Sequence, residues 1–104
     1  MKKLVKVKQV NKTTFVYTNK DLGLSILVNF PNGVKSSDHV KIATAKMGRD
    51  EKKFSHKAGR IIVTDKFLSR GYIVMPYSQF TGETGMQNAA RVFDNMLHLL
   101  AGLE

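Results

Sequence analysis

The sequence has 104 residues, no cysteine and a formal net charge of +9 at pH 7. This length suits one domain with its own core and is too short for two. The lack of cysteine excludes a disulfide framework, a cysteine nucleophile and a thiolate zinc site. No apolar run approaches the roughly 20 residues of a membrane-spanning helix. Lysines also interrupt the region where a signal peptide needs an apolar stretch. We therefore expect a cytoplasmic protein with no membrane contact.

The positive charge is concentrated in the first two thirds of the chain. Residues 1–70 hold sixteen of the seventeen basic residues and five acids, whereas residues 71–104 hold one basic residue and three acids. Thirteen of the seventeen cations are lysine. Lysine is a compact point charge suited to phosphate contact, whereas arginine is the usual reader of guanine edges. The composition thus favours contact with a polyanion backbone over base readout.

The N-terminal region shows the alternation of a β-sheet. Residues 3–10 alternate valine with lysine, and residues 13–18 and 24–30 also carry apolar side chains at every second position. A period of two with β-branched and aromatic residues predicts strands. The Pro-Asn-Gly sequence at 31–33 predicts a turn after the third strand, because these residues fit turn conformations.

Residues 40–47 are compatible with two structures. Ser37 as N-cap and Gly48 after the last turn favour a short helix, whereas the β-branched residues favour a strand. We predict the strand, paired across a turn at Gly48–Glu51 with the segment that follows the turn.

The next part of the chain predicts two further strands. Residues 60–64, Arg-Ile-Ile-Val-Thr, and residues 72–77, Tyr-Ile-Val-Met-Pro-Tyr, are rich in β-branched or aromatic residues. Between them, residues 64–71 predict a single helical turn that ends at a glycine. Pro76 cannot donate to a ladder, so it places its strand at an edge or at the strand's end.

A long helix is predicted at the C-terminus. Thr84 and Gln87 stand at capping-box spacing, and Gly102 ends the helix. One helical face collects apolar side chains, namely Met86, Ala89, Ala90, Phe93, Met96, Leu97 and Leu100. The fold class predicted is therefore α+β, an antiparallel sheet of five to six strands with one long C-terminal helix packed on one face.

The densest basic segment is residues 46–60. Its candidate nucleic-acid-binding residues are Lys46, Arg49, Lys52, Lys53, Phe54, His56, Lys57 and Arg60. Cations that follow phosphates, with an aromatic ring on which one base stacks, are what single-stranded nucleic acid requires, and stacking contributes about 1–3 kcal/mol per base. The alternative is a solvated hairpin whose lysines protect a strand edge, with Phe54 in the core.

A second candidate surface lies on the first predicted hairpin. Four lysines flank Phe15 and Tyr17 on neighbouring strands, namely Lys6, Lys8, Lys12 and Lys20. If the two rings face outward, they form a second stacking platform. In the alternative, which we favour, the rings belong to the core and the lysines form the solvated face.

We expect that the protein is not an enzyme and that it binds no metal ion and no cofactor. Residues 37–39, Ser-Asp-His, are the residue types of a hydrolase triad, but adjacent residues cannot aim a base at a nucleophile. The three histidines lack metal-binding spacing, and the acids offer no pair for acid–base catalysis. The enzymatic alternative is RNA cleavage by His56 with Lys53 or Lys57.

The sequence thus predicts a small basic protein that binds nucleic acid, single-stranded DNA or RNA, through phosphate contact and aromatic stacking with low sequence specificity. The alternative is a protein-binding or assembly protein, such as a small phage-type accessory or inhibitor protein, that acts through its C-terminal helix. A second apolar stripe on that helix predicts a homo-oligomer interface formed by Val92, Met96 and Leu99.

Overall fold

The fold is described from a computed structural model, which places residues 5–20, 23–33, 38–46, 56–77 and 84–102. These residues form five strands and two helices. In chain order they are β1 (Val5–Asn11), β2 (Thr14–Asn19), β3 (Leu24–Asn29), β4 (His39–Lys46), α1 (His56–Leu68), β5 (Ile73–Pro76) and α2 (Gly85–Gly102).

The strands form one antiparallel sheet in the order β1-β2-β3-β4-β5. Every strand lies beside its neighbour in the chain, and α1 stands between β4 and β5 in sequence. The two helices pack on opposite faces of the sheet, since they contribute to two separate cores. The predicted α+β class, the antiparallel sheet and the C-terminal helix packed on one face are confirmed.

The larger core lies between the sheet and α2. Apolar residues at every second position of β2, β3 and β4 point to this face because side chains alternate along a strand. The buried residues of this core are Phe15, Tyr17, Leu24, Ile26, Val28, Phe30, Val40, Ile42, Tyr77, Ala89, Val92, Phe93 and Met96. This core fixes α2 against the sheet.

The N-terminus of α2 has the predicted capping box. The Thr84 backbone N–H donates to Gln87 Oε1 at 2.9 Å, and the Gln87 N–H donates to Thr84 Oγ1 at 3.2 Å. These reciprocal bonds satisfy donors that a helix start leaves unpaired. Among the described residues, neither helix is long and apolar enough to cross a membrane.

The smaller core lies between the sheet and α1. Val16, Leu27 and Ala43 form one row across β2, β3 and β4, and Val63 of α1 packs on that row. Gly59 is buried one helical turn before Val63. Gly59 and Val63 therefore lie on the same, inner side of α1.

The strand predicted for residues 60–64 is wrong, because these residues lie inside α1. The predicted helical turn at 64–71 is the second half of the same helix, which ends at Leu68. The isoleucine-valine run favours a strand locally, but packing against the sheet overrides this preference. β4 pairs with β3 and β5. The segment that directly follows the predicted turn at 48–51 lies outside the described residues up to residue 55 and then enters α1.

The other predicted strands are confirmed. The strand predicted at 40–47 is observed as β4, which ends at Lys46, and not as a helix. Met47 lies outside the described residues. The strand at 72–77 is β5, which lies at the edge of the sheet and ends at Pro76. A proline at this place removes one donor from an edge and costs no ladder bond in the sheet interior.

Candidate nucleic-acid interface

The β1–β2 register places two lysines on the side of the sheet that carries α1. Lys6 lies opposite Thr18, and Lys8 lies opposite Val16. Residues directly opposite each other in an antiparallel pair share a face. Both Thr18 and Val16 are buried on the α1 side, whereas every residue of β1 is exposed. The two lysines therefore stand in solvent beside the helix.

His56 connects the start of α1 to this hairpin. Its Nδ1 lies 2.6 Å from Thr18 Oγ1, and the same hydroxyl oxygen lies 3.5 Å from the Lys6 carbonyl oxygen. A threonine hydroxyl has one proton to donate. Both contacts are satisfied when His56 Nδ1–H donates to Thr18 and Thr18 donates to Lys6. This arrangement holds the imidazole beside the backbone of β1.

Two further cations follow within one turn of α1. Lys57 is exposed and Arg60 is half-buried, and their spacing of three residues puts them on the same side of the helix. The first turn of α1 contains no acidic residue. The fold thus brings together two segments about fifty positions apart. We call the set Lys6, Lys8, His56, Lys57 and Arg60 the basic face.

The remaining predicted residues are not part of this set. Lys46 pairs with Leu24, whose side chain belongs to the core under α2. Lys46 therefore leaves the sheet from the opposite face. The other four candidates, which stay predictions, lie outside the described residues: Arg49, Lys52, Lys53 and Phe54.

The aromatic rings of the first hairpin are in the core. Phe15 packs edge-on against Phe30 with the ring centroids 5.9 Å apart, and Tyr17 lies 5.4 Å from Phe93. Both hairpin rings are buried under α2, on the face opposite Lys6 and Lys8. They offer no surface for stacking a base, so the favoured alternative is confirmed.

A different aromatic pair, which the sequence analysis did not single out, lies on the α1 side of the sheet. The rings of Phe67 and Tyr72 are 5.2 Å apart, and Lys41 Nζ lies 5.0 Å from the centroid of Tyr72. All three residues are half-buried. The lysine reaches the ring because β5 pairs with β4, which is long-range information. The sequence contained only one sign of this arrangement, the alternating pattern of residues 72–77 that predicts a strand next to Tyr72.

Asp38 and His39 form a surface pair. His39 Nδ1 donates to Asp38 Oδ1 at 2.6 Å, and this hydrogen bond is the main cause that lowers the pKa of the Asp38 carboxyl below its usual value. Ser37 lies outside the described residues. Within the part of the chain that is placed, no three histidine or acidic residues come together as metal ligands would.

The predicted oligomer stripe on α2 is mostly covered. Val92 and Met96 are buried against the sheet, and only Leu99 is exposed, at 51%. The other exposed large apolar residue of α2 is Met86, at the opposite end of the helix. The described part of α2 therefore offers scattered apolar side chains and no continuous patch.

The described residues carry far more positive than negative charge. They include eleven lysines and arginines but only three carboxylates, at Asp38, Asp65 and Asp94. These acids lie before β4, in the later half of α1 and on α2, away from the start of α1. Comparison with protein-family models, curated proteins and solved structures found no match. Function is therefore inferred from the geometry of the chain itself.

Proposed function

We propose that the protein binds nucleic acid at the basic face, mainly through the phosphate backbone and with low sequence specificity. One observation carries the proposal: the fold places Lys6 and Lys8 of β1 beside His56, Lys57 and Arg60 of α1. None of the three described carboxylates belongs to this surface. A polyanion is the ligand that such a surface attracts.

The chemistry of the basic face suits phosphate contact. Three of its four permanent cations are lysines, and those three are exposed. Each cation that neutralises a phosphate releases condensed counterions, so affinity falls as salt rises. Three or four such contacts correspond to a slope of about −3 in a plot of log K against log salt concentration.

Tyr72 supports a preference for single strands over duplexes. Its half-buried ring is on the same side of the sheet as the basic face, with Lys41 beside it. A ring of this kind stacks an unpaired base at about 1–3 kcal/mol, whereas a paired base inside a duplex is not available.

The test is a salt titration of binding to labelled single-stranded and duplex oligonucleotides, read by fluorescence anisotropy. The variant K6Q/K8Q removes two charges from the basic face. Its matched control, K46Q/R91Q, removes two charges from exposed residues of β4 and α2 on the opposite side. We expect the salt slope of K6Q/K8Q to become shallower by roughly 1.4–1.8, at 0.7–0.9 per lost phosphate contact. The control should keep the slope of the unmodified protein.

Two results would reject the proposal. One is the absence of binding even at the lowest salt concentration. The other is an equal loss of affinity in K6Q/K8Q and K46Q/R91Q, which would show attraction to the net charge and not to a defined surface.

A further inference from the structure

The outward side of α1 carries exposed apolar side chains. Ile61, Ile62 and Leu68 are 52%, 42% and 73% exposed. They lie away from Gly59 and Val63, which are buried against the sheet. Asp65 is also exposed, three residues before Leu68 and four after Ile61. We call Ile61, Ile62, Asp65 and Leu68 the outer stripe.

The helical spacing makes the outer stripe a patch and not a set of unrelated residues. Positions three, four and seven apart follow one another along one side of a helix. Isolated apolar residues are normal on a protein surface, whereas a contiguous group marks an interaction site. The exposed apolar residues of α2, Met86 and Leu99, are thirteen positions apart and form no comparable group.

The rim of the outer stripe is basic. Lys57 lies four residues before Ile61, Lys66 lies four residues after Ile62, and Arg70 follows the end of the helix. Lys66 Nζ donates to the Thr44 carbonyl oxygen at 2.7 Å, which holds its charge close to the sheet. A partner that covers the stripe must bring acidic residues to this rim, since opposite charges across an interface favour association.

Asp65 argues against a second copy of the chain as the partner. In a two-fold symmetric helix pair, a residue in the middle of the contact faces its own copy. Two Asp65 carboxylates would then meet inside an apolar contact, and two basic rims would face each other. Both arrangements are repulsive. Nucleic acid is also a poor occupant, because phosphates gain nothing from isoleucine and leucine side chains.

We infer that the outer stripe is a docking site for an amphipathic helix of a different, acidic protein. The apolar residues of that helix pack on Ile61, Ile62 and Leu68, and its acidic residues face Lys57 and Lys66. A single lysine or arginine in the middle of its apolar side pairs with Asp65. The inference does not depend on nucleic-acid binding, because the apolar contacts use no residue of the basic face. Lys57 alone belongs both to the basic face and to the rim of the outer stripe.

A synthetic helical peptide serves as the probe. It carries leucines at positions three and four apart, glutamates on both flanks and one lysine in the middle of the apolar side. Binding is measured by fluorescence anisotropy. We expect I61Q/L68Q to weaken binding of the peptide by about tenfold or more, because the variant loses the two aliphatic side chains that the peptide would cover. The matched variant M86Q/L99Q on α2 should bind like the unmodified protein.

Charge exchange tests the role of Asp65. A second peptide has glutamate in place of the central lysine, and it should bind the unmodified protein more weakly than the first. D65K should reverse this order of affinity. A third peptide with lysines on the flanks should not bind. Equal binding of acidic-flank and basic-flank peptides, or no reversal in D65K, would overturn the inference.

Three measurements separate this site from the proposed function and from self-association. I61Q/L68Q should bind oligonucleotides within about twofold of the unmodified protein, well under the factor of ten that corresponds to 1.4 kcal/mol. K6Q/K8Q should still bind the first peptide. Light scattering of the unmodified protein tests whether a second copy of the chain covers the outer stripe. A dimer that dissociates in I61Q/L68Q would show that a second copy covers the stripe, and would overturn the inference.

Discussion

The side-chain oxygen of Thr18 lies 2.6 Å from Nδ1 of His56, although the two residues are 38 positions apart in the chain. Thr18 belongs to the buried surface of β2, and His56 is the first residue of α1. The contact fixes where α1 starts over the sheet. The neighbours of His56 along the helix, Lys57 and Arg60, are thereby held on the same side of the sheet as the lysines of β1.

Substitutions of Thr18 and His56 should have coupled effects on the free energy of unfolding. Thr18→Val keeps the shape of the side chain and removes the hydroxyl, so we expect a loss of about 1 kcal/mol in the free energy of unfolding. His56→Ala should cost less in the Thr18→Val background than alone, because the shared hydrogen bond is already gone. Urea denaturation of the four proteins of this cycle measures the coupling.

Thr44→Val is the control for that cycle. Thr44 is half-buried in β4, and its hydroxyl makes no hydrogen bond that the described residues show. Its replacement should change stability by less than about 0.5 kcal/mol. Strictly additive effects of Thr18→Val and His56→Ala would contradict the role given to the contact.

Tyr72 should matter for single strands only. Tyr72→Leu keeps an apolar side chain against Phe67 and removes the aromatic surface. We expect affinity for single-stranded oligonucleotides to fall by about tenfold, from the lower part of the 1–3 kcal/mol range of base stacking. Duplex affinity should not change. Tyr72→Phe retains the ring and should behave like the unmodified protein. An equal loss for single strands and duplexes would assign Tyr72 a structural role instead.

The buried Tyr77–Asn88 bond should contribute to stability without affecting binding. Tyr77 Oη donates to Asn88 Oδ1 at 2.8 Å, which links the end of β5 to α2. Tyr77→Phe should lower the free energy of unfolding by about 1 kcal/mol, measured by urea denaturation. Tyr17→Phe is the matched control, because its hydroxyl accepts from Asn19 at a less buried site. We expect the smaller loss there. A change in oligonucleotide affinity in either variant would be unexpected.

The Asp38–His39 pair should give a small pH dependence at acidic pH. The hydrogen bond from His39 lowers the pKa of Asp38 below 3.8 in the folded protein. Its contribution to stability is therefore present above 3.8 and is lost as the pH falls through the lower folded value. Asp38→Asn should lower the melting temperature slightly at neutral pH, and the difference should vanish in strong acid. A difference that grows as the pH falls would contradict this sign.

Local patterns determined most of the sheet and all of α2. The alternation of apolar residues places β1, β2 and β3 within one or two residues of their observed bounds. The Thr84–Gln87 box marks the start of α2 because both bonds form within one turn. These elements carry their information in neighbouring residues, and a period of two or 3.6 is enough to read them.

Only the tertiary structure decided α1. Its Ile61-Ile62-Val63 segment predicts a strand, and its outward residues break the amphipathic pattern because Ile61, Ile62 and Leu68 are exposed. The helix is supported on its inner side, where Gly59 and Val63 meet the sheet. Gly59, Val63 and Phe67 repeat every four residues on this inner side, but the exposed isoleucines beside them hide the helical period in the sequence. The sequence therefore predicted strand where packing favoured helix.

The composition alone established the basic charge and the surplus of lysine, and predicted a single domain, but it did not determine where the lysines point. Lys6 and Lys8 share a side with His56, whereas Lys46 leaves from the other face. Side chains alternate along a strand, so the pairing register decides the face of each lysine. That register is set by the burial of apolar rows between β2, β3 and the two helices, which requires the assembled fold.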